Sequence, residues 1–136
     1  MHNCKVCYND SMKTIKDIDL KDKTILVRVD YNIPVKDGKA ESDLRIRASQ
    51  PTIDYLLEHG VKKIILISHL GRPEGKENPD FTLKPAVDAL KKLYKDQNIV
   101  FNPLPKKDEK INLPEKARII VLENLRFDPR EEENNQ

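Results

Sequence analysis

The residues able to do chemistry in this 136-residue sequence gather where apolar runs stop. The run Lys63-Ile64-Ile65-Leu66-Ile67 gives way to His69, Gly71 and Arg72. Thr24-Ile25-Leu26-Val27-Arg28-Val29 hands over to Asp30 and Asn32, and Arg118-Ile119-Ile120-Val121-Leu122 leads to Arg126. With Arg45 at the start of a helix expected after the first run, the inventory is Asp30, Asn32, Arg45, His69, Arg72 and Arg126. An arginine presents a planar fork that grips carboxylate or phosphate bidentately, and three of them exceed what an uncharged ligand needs. His69 can donate to a phosphate or hydroxyl, while Asp30 and Asn32 can orient hydroxyls. Helix N-termini after the strands would add backbone N–H donors. The set suits a small anion such as a phosphorylated hydroxy acid.

Taken singly, each residue has a plainer reading. Asp30 and Asn32 could be turn residues that satisfy their own backbone. His69 could be a structural histidine and Arg45 a solvated charge on a helix face. Arg72 and Arg126 could pair with Glu74 and Glu123 on the surface for little energy. Only convergence of all six at strand ends favours binding.

The elements that must position them follow from patterning. Apolar runs without alternation, bounded by glycine or proline, read as strands buried on both faces, as in parallel sheets. A loop with a turn at Asp37-Gly38 follows the first strand. Ser42 or Asp43 can then cap a helix through Leu44, Ile46, Ala48, Ile53, Leu56 and Leu57, with Pro51 predicting a kink or late start and Gly60 the end. Thr82 is the expected cap of a second helix through Leu83, Ala86, Val87, Leu90, Leu93 and Tyr94, with Pro85 in its first turn. A short strand at 98–101, a proline-broken connection over 102–116 and the strand at 118–122 complete the order β-α-β-α-β-loop-β. That is a parallel, doubly wound, Rossmann-like α/β sheet, with ligands expected at the carboxyl ends of its strands. The acidic stretch after Phe127 is predicted to hold no element, leaving one sheet face uncovered and the domain incomplete.

Gly71-Arg72-Pro73-Glu74-Gly75-Lys76-Glu77 is not a nucleotide phosphate loop, since its glycine spacing is one residue short and Glu77 stands where Ser or Thr is required. There is no G-x-G-x-x-G either.

Arg28-Val29-Asp30-Tyr31-Asn32-Ile33-Pro34, Ser68-His69-Leu70-Gly71-Arg72-Pro73 and Leu122-Glu123-Asn124-Leu125-Arg126-Phe127 together resemble the phosphoglycerate kinases, and Arg45-Ile46-Arg47-Ala48 matches that family's helix opening. The resemblance runs from about Met12 to the end. It implies the incomplete N-terminal domain of a two-domain kinase of glycolysis, with 12–136 as part of the 3-phosphoglycerate-binding domain. It also implies Mg-ATP or Mg-ADP as the second ligand, on a domain this chain lacks. Asp30 and Asn32 would contact the substrate hydroxyl region, and His69, Arg72 and Arg126 its phosphate. Arg45 would approach the carboxylate and, as the catalytic residue, stabilise the phosphoryl group in flight. Tyr31 and Ile33 stand where Phe and Val are commoner. The isolated chain is expected to be inactive. The alternative is a non-catalytic anion-binding module.

Bulk properties agree. A net charge of +2 gives no global reason to expect nucleic acid or membrane binding, and no apolar stretch approaches the ~18 residues of a membrane span. Family members are usually monomeric, and a cytoplasmic setting is the expectation. Residues 1–11 read as a disordered leader, with Met12 as the natural start. His2, Cys4 and Cys7 offer fewer ligands than the four of a structural zinc site, so no metal site is expected.

Overall fold

The computed structural model describes residues 12–133; the expected leader, with His2, Cys4 and Cys7, lies outside the described residues. Four parallel strands form the sheet: β1 (Thr24–Arg28), β4 (Lys63–Ile67), β5 (Ile99–Asn102) and β6 (Ile119–Leu122), in spatial order β1-β4-β6-β5. Between β1 and β4 the chain makes a hairpin, β2 (Val35–Lys36) and β3 (Lys39–Ala40), which the sequence reading took only as a loop. Asp37 and Gly38 both take positive φ, 50° and 69°, the backbone of the tight turn that matches strand twist.

The predicted first helix is split, as Pro51 requires. α1 (Leu44–Ala48) ends at Ser49, and α2 (Gln50–Glu58) restarts with the proline in its first turn, where a missing N–H costs nothing. α3 (Lys84–Leu93) likewise carries Pro85 at its start. These helices bury Ile46, Ile53, Leu56, Val87 and Leu90 against Ile64, Leu66, Ile119 and Val121 of the sheet. Ten or so such side chains, at about 1.5–3 kcal/mol each, dominate the stabilisation.

The opposite face departs from expectation in part. Crossovers between parallel strands are right-handed, so the connection from β5 back to β6 must run over the face opposite the helices. It does: Leu104 and Ile111 lie over Ile65, Ile120 and Leu122, which are buried without a helix above them. The connection is fastened by Lys63, itself only 6% exposed, whose ammonium donates to the carbonyls of Pro114 (2.6 Å), Glu115 (3.0 Å) and Ala117 (2.8 Å). Among the described residues Leu26, on the β1 side, stays largely uncovered, at 57% exposed.

The stretch after Phe127 was expected to hold no element, and this is corrected: it forms α4 (Pro129–Glu133). Asp128 accepts from the Arg130 backbone N–H (2.9 Å), Pro129 opens the turn, and Glu131 and Glu132 favour the positive helix start. No helix among the described residues is long and apolar enough to cross a membrane.

Candidate functional site

The rim at the carboxyl ends of β1, β4 and β6 is assembled by buried polar residues. Ser68, directly after β4, accepts the Tyr31 N–H (2.9 Å) and so ties the β1 exit to the β4 exit. Tyr31 is fully buried; its hydroxyl bonds Ser49 Oγ (2.8 Å), which donates to the Ile46 carbonyl (2.7 Å). That chain fixes the loop bearing Asp30 and Asn32 against the helix bearing Arg45. Burial pushes the Tyr31 hydroxyl up to about 12, with the Ser49 bond opposing it, so it stays protonated as a donor.

Asn124 joins the remaining exits. Wholly buried, its Oδ1 accepts from the N–H groups of Leu70 (3.2 Å) and Arg126 (3.0 Å), and its amide donates to the carbonyls of Leu70 (2.7 Å) and Phe81 (2.8 Å). All of its hydrogen-bonding capacity toward these segments is used. Its neighbour Glu123 accepts from the Thr82 hydroxyl (2.7 Å) and the N–H groups of Leu83 (2.9 Å) and Asn124 (2.7 Å). The expected cap of α3 by Thr82 is thus shared: Glu123 takes the shorter bonds, and Thr82 Oγ only a 3.3 Å contact from the Lys84 N–H.

Within this frame, Asp30 pairs with Arg45, both half-exposed, beside a hollow of about 280 Å³ lined also by Arg28, Ser49 and Thr52. Asp30 also accepts the Asn32 N–H (3.1 Å), as the turn reading expected. Asn32 reaches further: its side-chain oxygen accepts the Gly71 N–H (3.0 Å), while Arg126 donates to the Gly71 carbonyl (2.9 Å). Gly71 is obligatory there, since its φ is +58° and a Cβ would stand 2.4 Å from the Phe81 ring. Arg72, next in the chain, is exposed and makes no hydrogen bond or ion pair with the described residues.

His69 has a lowered pKa: desolvation is the largest cause, followed by the positive charges of Arg126 and Arg28, with Glu131 and Asp30 opposing. Its surroundings, with two guanidinium groups close by, thus disfavour the charged imidazolium. Arg126 does not pair with Glu123. Its Nε lies 3.5 Å from carboxylate oxygens of both Glu131 and Glu132, and Arg28 pairs with Glu131 at 3.2 Å. Sequence reasoning missed Arg28, Glu131 and Glu132 at this rim. A charged residue closing an otherwise apolar strand, and Asp-Pro followed by a run of glutamates, were the available signals.

A sequence model of phosphoglycerate kinase matches residues 15–136. The phosphoglycerate kinase of Chloroflexus aggregans is 47% identical over 128 residues, covering 90% of this chain and 32% of that protein. That of Neurospora crassa is 45% identical, covering 88% and 29%. Among solved structures, the phosphoglycerate kinase of Pyrococcus horikoshii superposes with a TM-score of 0.70 at 32% identity, over 88% of this chain and 29% of that one; the Coxiella burnetii enzyme gives 0.68 at 31% identity, over 84% and 28%. The chain spans about a third of the length of the curated relatives it matches. Sequence pattern and sheet coincide over almost its whole described length, and on both grounds the chain belongs to the phosphoglycerate kinase family.

Proposed function

We propose that this chain is the 3-phosphoglycerate-holding part of a phosphoglycerate kinase, which passes a phosphoryl group between ATP and the substrate carboxylate. His69, Arg72 and Arg126 hold the substrate phosphate, Asp30 and Asn32 orient its hydroxyl region, and Arg45 lies toward the carboxylate, where negative charge develops during transfer. The observation that supports this best is the double tether of Gly71, whose N–H is held from Asn32 and whose carbonyl is held from Arg126. Residues from three strand ends are thereby fixed in one frame, which is what orientation of a small multivalent anion demands.

The residues present do not fit the nucleotide. The sequence has no phosphate-binding glycine loop, and among the described residues no group of three or more His, Cys, Asp or Glu side chains could hold a metal ion. Mg-ATP is therefore assigned to the part of the relatives that this chain does not span. The family's role in glycolysis accords with a cytoplasmic, monomeric setting.

Titration calorimetry of the purified chain with 3-phosphoglycerate tests the reading. Saturable binding at one site, abolished in Arg126→Ala and weakened in Arg72→Ala, is expected. Absence of saturable binding by the folded chain refutes it for this chain alone. Turnover of ATP at an ordinary kinase rate would refute the assignment of the nucleotide elsewhere.

A further inference from the structure

The carboxylates of α4 occupy the cationic side of the rim. Glu131 is only 21% exposed, pairs with Arg28 at 3.2 Å and approaches Arg126 Nε to 3.5 Å, where Glu132 arrives at the same distance. Two negative groups thus converge on the two guanidinium groups that depress the His69 pKa. Their fit is incomplete. Arg126 Nε is wholly buried yet makes no hydrogen bond, because both carboxylates stop short of it. A buried donor left unmatched is costly, and an oxygen placed closer would relieve it. Among the described residues α4 has no buried side chain, and Gly75 lies close beside Pro129 at its start. Glu131 and Glu132 are held on Arg28 and Arg126 by charge, and such attachment is weak and salt-sensitive.

We propose that Glu131 and Glu132 are an internal ligand of the anion rim, docked on Arg126 and Arg28 until a phosphate displaces them. The proposal rests on reading the rim as a phosphate site. α4 is then a tethered competitor. A phosphate monoester brings three oxygens and close to two negative charges, enough to satisfy Nε and to replace both carboxylates. The competitor sets the apparent affinity, since binding is reduced by the fraction of molecules in which the rim is free. If α4 is docked in about nine molecules of ten, its removal tightens binding ~10-fold, equivalent to about 1.4 kcal/mol.

The test is calorimetry with 3-phosphoglycerate on the parent chain, on Glu131→Gln/Glu132→Gln, and on the charge-matched control Glu58→Gln/Glu115→Gln, whose exposed residues lie outside the rim. The expected result is binding about 10-fold tighter in the α4 variant and changed less than about twofold in the control. Equal affinity in parent and α4 variant, or equal gains in both variants, overturns the competitor and leaves the phosphate reading standing. No binding by any of the three folded chains overturns the phosphate reading, and the competitor with it. A second readout needs no mutation. Backbone amide resonances of 130–133 shift with the same saturation curve as those of His69 during the titration; amides of α4 that stay in place at saturation overturn displacement.

Discussion

Asn124→Ala should be the most damaging single truncation at the rim. The side chain is wholly buried and serves four backbone groups: the N–H and carbonyl of Leu70, the carbonyl of Phe81 and the N–H of Arg126. Truncation leaves the two Leu70 groups inside the protein with no alternative partner, at about 1–3 kcal/mol each, while the part-buried groups at Phe81 and Arg126 recover some of theirs from water. The expected loss is about 3 kcal/mol, a large fraction of the roughly 5–15 kcal/mol that holds a domain together. With a urea slope of about 1.5 kcal/mol/M, the unfolding midpoint falls by roughly 2 M. Asn124→Asp separates geometry from volume. It keeps the two acceptor bonds but turns negative charge toward two carbonyls, so it should be destabilised at least as much near neutral pH. Urea unfolding followed by circular dichroism, with the slope fitted freely, measures both. A loss below about 1 kcal/mol in Asn124→Ala at unchanged slope would refute the reasoning that this amide organises the rim.

Lys63→Met should lose about 2–4 kcal/mol, because three carbonyls of the β5–β6 connection lose their common donor; the same unfolding measurement, with proteolysis of 103–116 as a local probe, checks it. Gly71→Ala combines a left-handed backbone with a 2.4 Å clash against Phe81, and is expected to cost about 2 kcal/mol or more and to weaken 3-phosphoglycerate binding, which calorimetry reads directly. For His69 the folded pKa is lowered from 6.5, so below that pH the unfolded chain binds more protons than the folded one. Stability is therefore intact above about pH 6.5 and declines as pH falls through that value toward the folded pKa. His69→Gln should flatten this decline between about pH 7 and 5, seen as a narrowing difference in urea midpoint between the two proteins.

The parts of the fold that were legible in the sequence are those decided by local chemistry. β4 spans the apolar run from Lys63 to Ile67 because no other element buries so short a run on both faces, and the split at Ser49 follows from Pro51 alone. The hairpin was missed because strands of two residues leave no alternation to read. α4 was missed because its residues are polar and it has no buried face, although its capping signals were present. The site divides the same way. Asp30, Asn32, His69 and Arg126 were picked out by their position at strand ends, and hydrogen bonds link Asp30 to Asn32 and, through Gly71, Asn32 to Arg126. Arg28 with Glu131 is a contact across 103 positions, and Lys63 reaches residues more than 50 positions away; no periodicity encodes such pairs. The uncovered face was overestimated because the proline-broken connection was assigned no packing role, whereas Leu104 and Ile111 give it one.

The strand order has a consequence for how the chain is made. Among the described residues β5 pairs only with β6 and β4 has β6 on its second side, yet β6 is the last of these four strands to be synthesised. The ribosome adds roughly 5–20 residues per second, so the stretch between the end of β5 and the end of β6 takes about 1–4 s to appear. Throughout that interval β4 has one bare hydrogen-bonding edge and β5 has two, and any strand of another nascent chain can pair with them. Because this inner strand is made after both of its neighbours, translation speed over residues 103–122 is a determinant of yield: slower elongation there should enlarge the share of chains captured by chaperones or lost to aggregation.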